Sequence, residues 1–148
     1  MDPALGLGLI VLFVLLSAFF AAAETAINSL SPAKVRTLIE EKKPGAAQLD
    51  WLKKNYHRTL IAVLFGNQFV DTLAASVATV LVTAKFDSIY LGLVSGVLTI
   101  VSLIFGEALP KSLASVHAQT VGLLLAPPIR AFVWILSPLV WILDHFIN

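Results

Sequence analysis

Three stretches of this chain, residues 5–27, 59–84 and 89–109, are apolar over lengths that meet or exceed the roughly 20 residues a helix needs to cross a hydrocarbon layer of roughly 30 Å. Nothing else in the sequence narrows the fold so far. In lipid every backbone N–H and C=O must be satisfied within the protein, and long apolar runs do this as helices. Of the 148 residues, 58% are hydrophobic and 13% charged, with a mean hydropathy of +0.90, whereas soluble domains are about a quarter charged. The expected solvent is therefore the bilayer. The first run carries Asp2 and no Lys or Arg before Gly8, so it reads as a retained helix and not as a signal peptide, which needs a basic start. With no Cys in the chain, disulfides and thiolate metal sites are excluded.

The basic residues orient these spans. Seven of the ten, namely Lys34, Arg36, Lys42, Lys43, Lys53, Lys54 and Arg58, fall between the first and second runs. Cytoplasmic loops collect Lys and Arg, so residues 31–56 are expected inside, the N-terminus outside and the end of the third span inside. Ser31 followed by Pro32 is a helix start, and Val35, Leu38 and Ile39 recur at helical spacing until Lys42-Lys43-Pro44-Gly45. A second short helix is expected to place Ala46, Leu49, Leu52 and Tyr56 on one face. The basic pair suits a membrane surface, or equally a hairpin packed on the bundle. A polar turn is expected at residues 85–88, and Pro110-Lys111 is expected to end the third span.

Residues 121–147 form a further apolar run that hydropathy alone would score as a fourth span. Pro127-Pro128 and Pro138 interrupt it, Arg130 lies inside it, and Trp134 and Trp141 recur seven residues apart, as interfacial anchors do. The expectation is a belt of short helices over residues 112–147 in the cytoplasmic interface, with the C-terminus inside. The fold class is then all-α integral membrane, with three transmembrane helices plus cytoplasmic juxtamembrane helices in a single domain.

Isolated Ser and Thr in a span are usually packing glue. An ionised carboxylate costs about 2.5 to 3.5 kcal/mol even on lenient scales, so it faces a partner, a cavity or an ion. Asp71 and Glu107 are such residues. In the second span Asn67 and Asp71 lie four apart, as do Gln68, Thr72 and Ser76, forming a polar stripe. In the third, Ser95, Thr99 and Ser102 lead to Gly106-Glu107 and Pro110, where Gly and Pro around a carboxylate can free backbone carbonyls to act as ligands. Counted at about 1.5 Å per residue from the expected cytoplasmic ends, Glu107 lies about 7 Å deep, Asn67 about 12 Å, Ser17 about 15 Å and Asp71 about 18 Å. Three helices thus bring oxygen groups to overlapping depths, with no His in any span. Oxygen-only donors favour hard cations such as Mg²⁺, Ca²⁺ or Na⁺. Glu24, two turns after Ser17 on the same face, either lines an acidic approach to this cluster or pairs with a loop cation.

These residues resemble a known family. The segment Ser17-Ala18-Phe19-Phe20-Ala21-Ala22-Ala23-Glu24-Thr25-Ala26, the pair Gly66-Asn67, the motif Phe105-Gly106-Glu107-Ala108-Leu109-Pro110-Lys111 and the run Leu124-Leu125-Ala126-Pro127-Pro128, in that order, are similar to the transmembrane domain of the cyclin M/CorC (CNNM) family of magnesium transporters. The resemblance implies a homodimer in the cell inner (plasma) membrane. It implies Mg²⁺ held in an inward-facing cavity and exported, with Na⁺ as a coupling ion. The implied partners are lipid and cytoplasmic CBS-type domains beyond residue 148, not nucleic acid. Carried over by position, Ser17, Asn67, Gly106 and Glu107 would hold the metal, with Asp71 a less secure match. Glu24, Gly66 and Pro110 would shape the cavity or gate. No convincing nucleophile–base pair suggests an enzyme. The competing reading is a membrane anchor and dimerisation module whose polar stripe only holds helices together.

Overall fold

The computed structural model describes residues 2–85 and 89–147, so most of the turn expected at 85–88 lies outside the described residues. All the described secondary structure is helical. α1 (Pro3–Ser29) starts on Asp2, whose side chain accepts from the Ala4 N–H, with Pro3 at the first helical position. It runs antiparallel to α4 (Tyr56–Lys85), bringing Gly6 near the start of one against Leu81 near the end of the other. α5 (Ile89–Leu103) packs on α4 and passes through a π-helical turn at Ile104–Ala108 into α6 (Leu109–Val116).

Between α1 and α4 lie α2 (Pro32–Glu40) and α3 (Ala46–Lys54). Ser31 caps α2 by accepting the Lys34 N–H at 3.1 Å, as the Ser-Pro start predicts. Val35, Leu38, Leu49 and Leu52 are buried, so this pair is packed on the bundle through its apolar stripes. Tyr56 departs from expectation. The α3 helix ends at Asn55, and Tyr56 opens α4 with its ring exposed, donating to Asn28 Oδ1 at 2.5 Å.

The third long helix does not stop at Pro110. A proline removes the donor for the carbonyl four residues earlier and crowds it. Here the preceding turn is widened, with the Leu109 N–H reaching back five residues to the Ile104 carbonyl. Pro110 therefore falls in the first turn of a new α-helical segment, where its lost donor is tolerated. The helix continues to Val116, past residue 112 where a separate belt is expected to start, and the next helix opens at Ala118.

α7 (Ala118–Ile135) is a single helix running through Pro127-Pro128, and α8 (Ser137–Ile147) starts afresh with Pro138 in its first turn. The Leu123 carbonyl, which loses its helical donor to Pro127, meets a compensating neighbour. A Cβ on Gly45 would lie 2.2 Å from that oxygen, so the hydrogen glycine carries there points at it, a weak Cα–H···O contact. Gly45 has φ +87°, a conformation side chains disfavour.

Among the described residues four helices or continuous helical segments are long and apolar enough to cross a membrane, α7 being the shortest at 18 residues. Its contacts place both its ends on the same end of the α1–α4 pair. Gly122 sits against Ala26 and Leu30 at the end of α1, while Ser137, just past the other end, accepts from Arg58 Nη2 at 3.0 Å near the start of α4. Between them Phe132 reaches up to Phe20 and Gly66. Ile129 and Val133 complete a core with Ile27, Leu30, Leu38, Leu49 and Leu52.

Candidate ion site

Ser17 is almost fully buried, at 1% exposure, and its hydroxyl donates to Asn67 Oδ1 at 2.8 Å. The side chains come from α1 and α4, so the antiparallel pairing aligns their depths. The third helix joins at Gly106. A Cβ there would lie 3.4 Å from Ser17 Oγ, 3.6 Å from Ser17 Cβ and 3.8 Å from the Val14 carbonyl oxygen. The π-turn backbone thus passes α1 with room for about one methyl group between them. Gly106 and with it Glu107 lie level with Ser17 along α1, and α6 carries the helix on to Val116, beyond the end from which the depth of Glu107 is counted in the sequence.

Glu107 is half-buried beside Gly106 within the π-turn. Asp71 is half-buried one turn beyond Asn67 on α4. Neither carboxylate is in an ion pair among the described residues, where the one pair is Lys54 to Asp50 at 2.9 Å. Pro110 cannot donate to the carbonyls behind it, so the Phe105–Gly106 backbone keeps acceptor capacity. Ser17 Oγ retains its lone pairs while donating, and Asn67 Oδ1 retains one. No group of three or more His, Asp or Glu side chains that could hold a metal forms among the described residues. A cation here would rest on one carboxylate and several neutral oxygens.

The other singled-out residues take distinct places. Gly66 is a packing notch: a Cβ would lie 2.7 Å from Phe20 Cζ and 2.8 Å from Phe132 Cζ, whose rings meet at a tilt of 53° with centroids 4.9 Å apart. Glu24 lines a small recess with Asn28, Tyr56 and Thr59, on the side of Ser17 toward the loop, and no loop cation pairs with it among the described residues. Pro110 lines an apolar groove with Leu15, Phe19 and Leu124. Gln68, Thr72 and Ser76 of the stripe are exposed, the last donating to the Thr72 carbonyl.

One positioning residue escaped sequence reasoning. Lys53 Nζ donates to the Ile27 carbonyl at 2.9 Å, capping the last turn of α1. Burial pushes its pKa down from 10.5. Its place in a basic run hid it, since most such lysines are solvated.

The sequence of residues 8–148 matches the family described as cyclin M transmembrane N-terminal domain, CNNM. The chain is 30% identical over 132 residues to a UPF0053 protein of Synechocystis, covering 89% of this chain and 38% of the relative. It is 30% identical over 133 residues to the UPF0053 inner membrane protein YfjD of Escherichia coli, covering 87% and 30%. A chloroplastic DUF21 domain-containing protein of Arabidopsis thaliana is 37% identical over 132 residues, covering 88% and 20%. The chain thus spans less than two-fifths of the length of these curated relatives. With the helical membrane architecture and the ordered motifs, these matches give one conclusion: the chain belongs to the CNNM (DUF21/UPF0053) family, as its multi-pass transmembrane domain.

Proposed function

We propose that this domain binds and transports Mg²⁺, exporting it from the cytoplasm with Na⁺ influx as the coupled flux. The observation that carries the reading is the meeting of Ser17, Asn67 and Gly106 from three helices at one depth, beside the half-buried Glu107. Glu107 supplies charge, while Ser17, Asn67 and freed carbonyls supply the neutral oxygens of a compact site suited to a small hard cation. Asp71, half-buried one turn further from the loop, would receive a second cation.

Three spanning helices, α1, α4 and the continuous α5–α6, with α2, α3, α7 and α8 on the cytoplasmic side, fit the charge distribution. The contacts of both ends of α7 with one end of the bundle support the same arrangement. Self-association as a homodimer is supported by α5, none of whose residues is buried. Gly92 and Gly96 on it meet no neighbour within 4 Å, leaving a small-residue face of the kind that packs closely in membranes. Cytoplasmic CBS-type domains would follow residue 148 in the full-length protein.

The test is Mg²⁺ flux in proteoliposomes, paired with thermal unfolding in detergent. Mg²⁺ at ten times its dissociation constant stabilises a binding-competent fold by about 1.4 kcal/mol. Glu107→Gln and Asn67→Ala should lose both the flux and the shift while remaining folded. Wild-type flux in both would sink the assignment. The anchor reading draws on Ser17 and Asn67 satisfying one another without an ion; a wild-type protein with neither shift nor flux would favour it.

A further inference from the structure

We propose that the notch between α3 and α7 binds the phosphate of an acidic phospholipid from the cytoplasmic leaflet. The notch, about 420 Å³, is lined by Gln48, Trp51, Pro127, Arg130, Ala131 and Trp134. The Arg130 guanidinium lies 5.1 Å from the centre of the Trp51 ring. A guanidinium over an indole face is attracted to it without spending its N–H donors, and the planar fork matches a phosphate bidentately. Among the described residues no carboxylate or carbonyl takes up those donors. Gln48, half-buried across the notch, adds an amide.

The source of the phosphate follows from the walls. Trp134 is 76% exposed, and Leu124 and Ile135 on the same helix are 72% and 65% exposed. These side chains leave the bundle where acyl chains would meet them, while Trp51 and Gln48 belong to the basic loop pair. A charged donor between an indole on the lipid side and a polar helix on the water side matches the headgroup level of a bilayer. Lys42 and Lys43 flank the same α3–α7 junction through Gly45, and each basic residue near an anionic leaflet adds about 1 kcal/mol of attraction. A freely soluble phosphate would have no use for the apolar wall. The site rests on the reading in which α7 lies at the cytoplasmic interface, but is independent of the ion cluster.

The test uses the purified protein in detergent with added phosphatidylglycerol, phosphatidylcholine or inorganic phosphate, read by thermal unfolding and by lipid adducts retained in native mass spectrometry. Phosphatidylglycerol should raise the unfolding temperature more than phosphatidylcholine and remain bound. Arg130→Gln should abolish that difference, Arg130→Lys should keep part of it, and Trp134→Ala should weaken it. The Mg²⁺-dependent shift should survive in Arg130→Gln, so a lost ion site and a lost lipid site give different results. An undiminished phosphatidylglycerol preference in Arg130→Gln would overturn the proposal. So would an equal shift with inorganic phosphate, which would assign the notch to a soluble anion. If Arg130→Gln fails to fold, Gln48→Ala and Trp134→Ala carry the test, and unchanged preference in both has the same negative meaning.

Discussion

Ser17 on α1 donates a 2.8 Å hydrogen bond to Asn67 on α4, fifty residues away, and Gly106 of the third helix faces the same hydroxyl across a space that a methyl group would fill. The bond satisfies a buried hydroxyl that would otherwise cost about 1 to 3 kcal/mol in an apolar setting. It also commits the hydroxyl proton to Asn67, which leaves the oxygen's lone pairs free to accept.

Ser17→Ala is expected to destabilise the protein by about 1 kcal/mol, leaving Asn67 without its donor, and to remove the Mg²⁺-dependent thermal shift. Ser17→Thr, which keeps the hydroxyl, should retain part of the shift. Unfolding curves with and without Mg²⁺ check both. A Ser17→Ala protein with a full Mg²⁺ shift would show that the hydroxyl is packing alone.

Two glycines should differ sharply in what alanine does to them. Gly45→Ala forces a side chain into φ +87° and drives its Cβ to 2.2 Å from a backbone oxygen that cannot swing away. The expected cost is about 3 kcal/mol or more, from left-handed backbone strain and overpacking together. Gly106→Ala meets Ser17 Oγ at 3.4 Å, an ordinary contact, and should cost under about 1 kcal/mol while displacing the cation oxygens enough to reduce Mg²⁺ flux. Comparing expression and unfolding of the two variants separates the cases.

Pro110→Ala restores a backbone donor behind the π-turn and lets the segment relax toward a regular α-helix. Thermal stability is expected to hold or rise, because proline no longer interrupts the ladder, while Mg²⁺ flux falls as carbonyls are recaptured. Equal flux in the variant and the wild type would argue that no carbonyl near Phe105–Gly106 takes part.

Lys53 gives the pH prediction. Burial lowers its pKa in the folded state from 10.5, so between the lowered value and 10.5 the unfolded chain holds more protons than the folded one. Stability linked to this group therefore rises as pH climbs through that window and is flat below it. Wild type measured against Lys53→Met across alkaline pH should show this rise. Below the window, losing the bond to the Ile27 carbonyl should cost about 1 kcal/mol, since the site is only partly screened from water.

The absence of native cysteine makes single-cysteine labelling direct. Lys42→Cys and Phe146→Cys should react with a membrane-impermeant thiol reagent from the same side of sealed vesicles. Reaction from opposite sides would mean that α7 crosses the bilayer.

By itself the sequence determined the membrane as solvent and the long apolar helices, because those depend on composition and length, and its basic residues set the expectation of which end faces the cytoplasm. It also nominated Ser17, Asn67, Gly106 and Glu107, since polar groups and a glycine-proline pair in lipid are conspicuous wherever they fall. Only the tertiary structure decided how far the third helix runs, because the widened turn that seats Pro110 sends the Leu109 N–H back five residues to the Ile104 carbonyl, a shift that the proline in the sequence does not dictate. It decided the path of α7, whose prolines read as breaks but are accommodated by Gly45, a residue more than seventy positions away. And it decided that Gly66 seats two phenylalanine rings and that Lys53 caps α1. Each depends on what a distant segment presents, which no local pattern of residues encodes.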